Sequence, residues 1–418
     1  MGTASGKGLL VRLSGVGSVI AGQAAQSIAS FITGIALGRF ASHEALGTFA
    51  LGYSFCLMAI SLGDTLIATP YTYFRSRQEG PVATLYSAAL LGTLGVALLV
   101  SAVFWVFLLL AFASFASLSV LFWILPCALL ALCAREFVRR HLYAVDQLAQ
   151  ARRIDVLSAC AQVALVALLV WLECLNPLSA FAAIALAAGA PALYLILRHT
   201  ARDGLPASGL VQWLAAFVGY GRWLVLGGIC HIGSVQLYPW LALLGGGERQ
   251  VGLYAACVTL ANMLNPLLVG LTNFFRPKFI ARQFAGPAEG FMRYTAIRAG
   301  IFLVPALGFA LLAIFFGEPL LVRVYGEDFR AGAPALAWIS LAVLCIALSA
   351  PLQLALLAVR APVTNLYYHA TALLLTGLLA LLLSDQLTLE VLGGMYAGVN
   401  LVSLLLLFGL FMARLRSR

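Results

Sequence analysis

From Val82 to Ala134 the chain runs for 53 residues without one charged side chain. A hydrocarbon layer about 30 Å thick needs about 20 apolar residues per helical crossing, so the run supplies two crossings joined by a turn at Ser114 to Ser119. In hydrocarbon the backbone must satisfy its own hydrogen bonds, which leaves helices or a closed barrel. Barrel strands alternate polar and apolar residues; this run does not. The whole chain agrees, being 63% hydrophobic and 10% charged over 418 residues, with a mean hydropathy of +1.01. Soluble domains carry about 45–50% apolar and about 25% charged residues. A soluble enzyme, a nucleic-acid module and a secreted disulfide scaffold are therefore excluded. The eight cysteines lie in or beside apolar stretches with no C-x-x-C, so they read as packing residues and not as a metal or disulfide framework.

Twelve spans are expected, at about 14–37, 46–69, 82–111, 118–134, 154–173, 178–197, 222–244, 252–275, 298–316, 332–357, 364–383 and 391–413. Lys7 and Arg12 precede a first stretch too long and too rich in Gln and Ser for a cleavable signal. Basic residues accumulate on the cytoplasmic side of membrane proteins. With the N-terminus inside, 21 of the 25 Lys and Arg fall on that side, and only Arg39, Arg249, Arg323 and Arg330 fall outside. Both termini are then cytoplasmic, in a cell membrane crossed many times. The net charge of +10 is explained by orientation and calls for no nucleic-acid partner.

The two halves echo one another. Gly47-Thr48-Phe49-Ala50 matches Gly252-Leu253-Tyr254-Ala255 at an offset of 205, and Gly63, Pro70 and Arg75 match Gly270, Pro277 and Arg282 at 207. Six spans per half is an even number, so the repeats enter the membrane in the same direction, related by an axis along its normal. The expected architecture is an all-α integral membrane protein with about twelve helices in two six-helix lobes. These are residues 1–200 and 213–418, joined by a cytoplasmic linker at 201–212.

Polar residues in hydrocarbon are costly unless they face a partner or water. In the first span Gln23, Gln26 or Ser27, Ser30 and Thr33 recur at helical spacing, and Gly227, His231, Ser234 and Tyr238 do so in the seventh; the 205 offset sets His231 on Gln26. Ser54, Ser61, Asp64, Thr65 and Thr69 mark the second span; Asn262, Asn265, Asn273 and Arg276 mark the eighth. Interhelical hydrogen bonding, at about 0.6 kcal/mol per contact, explains single members. Four stripes in symmetric positions point to a polar cavity between lobes. Asp64 is the one carboxylate placed well within a span, and His231 lies about 13 Å deeper than Arg222 at 1.5 Å per residue. No nucleophile elbow, metal-ligand pattern or phosphate loop appears in an exposed segment, so neither catalysis nor a cofactor is expected.

The tract Gly38-Arg39-Phe40-Ala41-Ser42-His43-Glu44-Ala45-Leu46-Gly47-Thr48-Phe49-Ala50 resembles the loop and second-helix entry of polysaccharide flippases of the Wzx type, in the multidrug/oligosaccharidyl-lipid/polysaccharide exporter superfamily. Gln250 to Arg282, with Val251-Gly252-Leu253-Tyr254-Ala255 and Phe275-Arg276-Pro277, resembles the same element in a second lobe. The resemblance implies a two-lobed transporter that moves a lipid-diphosphate-linked oligosaccharide to the outer leaflet by alternating access, alongside other polysaccharide assembly proteins. Basic residues at the inner mouth would receive the diphosphate, because arginine forks onto phosphate oxygens; Arg222, Arg276 and Arg298 stand at span ends where they suit that task. Asp64, His231, Gln26, Asn262 and Asn265 would line the cavity. Arg139 and Arg153 read as solvated loop residues. The rivals are a cation-coupled multidrug exporter, which needs deep carboxylates absent from spans seven to twelve, and a membrane-embedded polysaccharide polymerase, which needs a larger outer loop.

The charge partition generates the first prediction. Reporters fused after Leu110, Asn176 and Gly247 should report outside, and those after Glu79, Arg202 and Arg360 inside; either terminus found outside overturns the topology.

Overall fold

A computed structural model describes residues 4–111, 116–206, 208–283, 288–361 and 363–416. Among them there is no strand. The helices in chain order are α1 (Ala4–Phe40), α2 (His43–Gly63), α3 (Thr69–Ser76), α4 (Val82–Ala111), α5 (Ile124–Ala144), α6 (Leu148–Trp171) and α7 (Pro177–Asp203). They continue with α8 (Leu210–Ala261), α9 (Asn265–Gln283), α10 (Ala288–Tyr325), α11 (Ala333–Ala358), α12 (Val363–Leu382) and α13 (Leu389–Arg416). Ser114 of the expected turn lies outside the described residues, as do Arg418 and the side chains of Lys7, Arg12 and Trp223.

Nine helical segments among the described residues are long and apolar enough to cross a membrane. One of them, Leu224–Arg282, is 59 residues long and holds two passes, because α8 breaks at Gly246 and Gly247. Gly247 sits at φ 67°, a left-handed conformation that glycine alone adopts without strain. Counting α1 and α5 as well, the described helices are enough for the twelve passes expected from the hydropathy pattern. The boundaries differ most around the fourth and fifth spans. The expected spans 118–134 and 154–173 leave residues 135–153 in a loop, yet α5 runs to Ala144 and α6 begins at Leu148.

By packing, the chain falls into two units, Met1–Phe40 with Leu51–Ile229, and Ala41–Ala50 with Cys230–Arg418. Residues 201–212, read from the sequence as a linker, lie within the first unit, and the chain passes into the second in the middle of α8. In the first unit Tyr71, Tyr86, Phe104, Phe137 and Phe181 are buried, and α5 meets α7 where Gly189 lies so near Ala131 that an added Cβ would stand 3.2 Å from it. Small residues let helices approach in a membrane, where apolar burial gives no drive. In the second unit Phe275, Phe279, Phe291, Phe302 and Phe411 form the core.

The rod from α2 to α3 carries a π-helical turn at Asp64–Ala68. Proline has no N–H, so Pro70 cannot bond the carbonyl four residues back, and the Thr69 N–H reaches five residues back to Asp64 instead. The displaced backbone is met by Gly221 of α8, where a Cβ would fall 2.7 Å from the Thr65 carbonyl oxygen.

Within the second unit the repeated glycines touch reciprocally. A Cβ on Gly47 would lie 2.1 Å from the Glu248 carbonyl oxygen, and one on Gly252 would lie 1.8 Å from that of His43. The 205-residue offset exchanges Gly47 with Gly252 and His43 with Glu248, so the crossing maps onto itself, as a contact across a two-fold axis must. Gly47→Ala and Gly252→Ala should each destabilise the protein, by about 1–3 kcal/mol as overpacking does. Gly308→Ala, whose Cβ meets nothing within 4 Å, should be neutral or slightly stabilising; thermal unfolding in detergent compares the three.

Candidate functional site

Helix α5 turns its last apolar residues into a charged stripe. Glu136 precedes Arg139 and Arg140 by three and four residues, the spacing that sets side chains on one helical face, and Arg135 points to the neighbouring helix α1. Arg139 and Arg140 both contact the Glu136 carboxylate, the Arg140 Nε at 3.5 Å. The Arg140 Nη2 also lies 2.9 Å from Asp64 Oδ1, on the π turn that Pro70 imposes. Arg135 donates to the Gln26 side-chain oxygen. The Gln26 amide in turn donates to the Asp155 backbone oxygen at 2.6 Å. Arg135, Glu136 and Asp155 are 9%, 7% and 1% exposed, so three arginines, the carboxylates of Asp64 and Glu136, and, through Gln26, the Asp155 backbone share one partly buried network in the first unit. Burying a charge is costly unless it is paired. The Asp155 carboxylate lies against Gly22, where a Cβ would stand 2.7 Å from Oδ2, and neither oxygen accepts a hydrogen bond from a described residue.

The polar stripes of the first and seventh spans make equivalent contacts. Gln26 meets Asp155, and Gln162 of α6 donates to Thr33 at 2.9 Å; both pairs are 129 residues apart, so α1 and α6 run parallel and in register. In the second unit His231 meets His369, with Nδ1 atoms 3.3 Å apart, and the Tyr238 and Thr376 hydroxyls are 3.1 Å apart. Both of these pairs are 138 residues apart. In each unit the contacts recur after seven residues, or two helical turns, and adding 205 carries Gln26 and Thr33 onto His231 and Tyr238.

The remaining sequence candidates scatter. Asn265 donates to Asn262 at 2.9 Å across the short 3₁₀ break between α8 and α9, and both are exposed. Arg276 is exposed on α9, and the Arg298 guanidinium lies 3.9 Å from the centre of the Tyr294 ring on α10. Arg222 is an exposed residue of the first unit. Gln26 and Asp64 are thus joined through α5, whereas Arg276, Arg298, His231 and the asparagines belong to the second unit. Two readings of the sequence need correction. Arg139 is a helical residue, its side chain 14% exposed and paired with Glu136, not a solvated loop cation. Asp64 is not the only carboxylate within the helical body, because Glu136 and Asp155 are more deeply buried. The signal for them was the Arg-Glu-x-x-Arg-Arg spacing at 135–140, overlooked because a hydropathy boundary ends a span at the first charge. His369 had no periodic signal beyond lying inside a span.

No protein-family model matches the chain, and no curated protein sequence matches it. Solved structures do. The inward-facing form of a multidrug resistance MATE family transporter of the MOP superfamily aligns with a TM-score of 0.74 at 13% identity, over 96% of this chain and 98% of that one. A MOP superfamily transporter from Pyrococcus furiosus, described as having a binding pocket of reverse polarity that suggests a different function, aligns with a TM-score of 0.67 at 13% identity, over 96% and 94%. A MATE structure in complex with MaL6 gives 0.62 at 14% identity, over 96% and 95%. The fold is that of the MOP-superfamily transporters. At such identity the fold is what is shared.

Among the described residues the α5 network is the most heavily charged buried feature of the first unit. Glu136→Gln should destabilise strongly, by about 3–5 kcal/mol, because it leaves the largely buried Arg139 without its partner while Arg140 keeps Asp64. Asp64→Asn should cost far less, since its pair with Arg140 is 27% and 38% exposed and exposed pairs contribute about 0–1 kcal/mol. Unfolding midpoints in detergent, or yields in membranes, would reverse this order if Asp64 were the structural anchor.

Proposed function

We propose that this chain is a membrane exporter working by alternating access, and that it carries a lipid-diphosphate-linked oligosaccharide from the cytoplasmic to the outer leaflet for surface polysaccharide assembly. The observation that carries the reading is a contrast in charge. On α5 of the first unit Arg139 and Arg140 are held by the carboxylates of Glu136 and Asp64, whereas α9 and α10 carry Arg276, Lys278, Arg282, Arg293 and Arg298 with no carboxylate in ion-pair distance among the described residues. In the second unit Glu318 and Glu327 are engaged with Arg330 instead. Two of the basic groups rest on aromatic faces, Lys278 at 3.3 Å from the Phe274 ring centre and Arg298 over Tyr294. Unmatched cations near expected span ends suit a ligand that brings two negative charges of its own. The prenyl tail of such a ligand stays in lipid while the diphosphate and sugars cross.

A second reading, a cation-coupled multidrug exporter, is favoured by the half-buried Asp64 and the buried Glu136 and Asp155, and one transporter of the same fold is described as a multidrug resistance MATE family transporter. The two readings differ in what loss of the protein does. Under the first, inactivation in the host abolishes a surface polysaccharide and its lipid-linked units accumulate on the cytoplasmic side. Under the second, polysaccharide is unchanged and sensitivity to toxic compounds rises.

The substitutions follow from the same contrast. Arg276→Ala and Arg298→Ala should each lower transport roughly tenfold or more, since a hydrogen bond to a charged group contributes about 1.5–3 kcal/mol. Lysine, which keeps the charge and loses the fork, should rescue in part. Arg222→Ala tests the third arginine expected at the inner mouth and should lower transport on the sequence reading alone, while Arg153→Ala, exposed on α6, should be tolerated. Equal tolerance at all four positions, with topology and abundance unchanged, would remove the arginines from substrate binding.

A further inference from the structure

The equivalent polar positions of the two units differ in chemistry. Where the first unit sets an amide against an aspartate residue, at Gln26 and Asp155, the second sets an imidazole against an imidazole, at His231 and His369. The chain has five histidines, and these two stand on different helices with ring centroids 4.4 Å apart and planes inclined by 67°. Their Nδ1 atoms are 3.3 Å apart, longer than the usual range of about 2.7–3.2 Å for hydrogen bonds donated by N–H. An ion that binds nitrogen at about 2.0–2.1 Å in tetrahedral geometry holds two such nitrogens about 3.3–3.4 Å apart. The observed separation is that bite.

The surroundings hold the pair in place. Two turns further along, Tyr238 and Thr376, both completely buried, bond across the same two helices, so α8 and α12 are locked in the register that brings the rings together. One turn before His231, a Cβ on Gly227 would meet nothing within 4 Å, which leaves room beside the rings. His231 itself is exposed. Imidazole suits zinc, copper and nickel, whereas sodium, magnesium and calcium take oxygen ligands.

We propose that His231 and His369 form a two-histidine site for a divalent transition ion of the zinc class, with water or an anionic oxygen completing the coordination. The site contributes no carboxylate, so the ion keeps its double charge and is exchangeable, not a permanent structural metal. It bridges α8 to α12 two residues after the chain leaves the first unit at Ile229. This assignment is independent of which substrate the protein carries.

The test uses the full chain purified in detergent, with any affinity tag removed, and Co²⁺ and Zn²⁺ as probes. Co²⁺ should bind one per chain with the visible absorption of a tetrahedral site, Zn²⁺ should displace it, and Zn²⁺ should raise the unfolding midpoint. His231→Gln and His369→Gln should each weaken Co²⁺ binding at least about tenfold, the lower bound seen for loss of even an outer-shell partner. Tyr238→Phe should retain it. If the glutamine variants unfold, zinc-dependent protection of His231 and His369 from acylation in the unaltered protein gives the same answer. Absence of the absorption and of protection, or binding undiminished in both folded variants, would overturn the site and leave the pair as a hydrogen bond between rings.

Discussion

The reciprocal contact of Gly47 and Gly252 is the constraint on which much else rests. In lipid no apolar drive holds helices together, and packing geometry has to do so. At this crossing each glycine admits a backbone carbonyl from the other helix, at a distance no side chain would allow. Because the repeat offset exchanges the two partners, one local geometry serves both strands of the crossing. It also sets the start of α2 against the second part of α8, just after the kink at Gly246–Gly247.

A second constraint is polar register. α1 with α6, and α8 with α12, run parallel and touch at two points seven residues apart. Each bond is weak by itself, about 0.6 kcal/mol on average in membranes, but a pair at that spacing excludes both a slide and a rotation of one helix on the other. The repeated scaffold then accepts different chemistry in each half. In the first unit it leads into a network of buried arginines and carboxylates; in the second it brings two histidines together.

The π turn shows how a single residue shapes the charged network. Pro70 removes one donor, the backbone takes up an extra residue at Asp64–Ala68, and the turn presents Asp64 to Arg140 of α5. π turns recur at functional sites because they reorient a side chain without ending the helix. Here the reoriented side chain joins the only charges that α5 carries.

The amino-acid sequence by itself determined the class of this protein, for a physical reason: 53 residues without charge admit no other solvent than lipid, and lipid admits only a closed hydrogen-bonded backbone. Period and offset likewise made the twelve passes, the repeat and the pairing of Gln26 with His231 as equivalents legible. Hydropathy failed at 135–153, where it reads every charge as solvent-facing; Arg135, Glu136, Arg139 and Asp155 compensate one another instead, and compensation between helices has no signature along one chain. His369 was hidden for the same reason, since a histidine gains meaning from the residue 138 positions away. Which charges pair, which cations stay unmatched and which rings meet are properties of packing, and only the tertiary structure decided them.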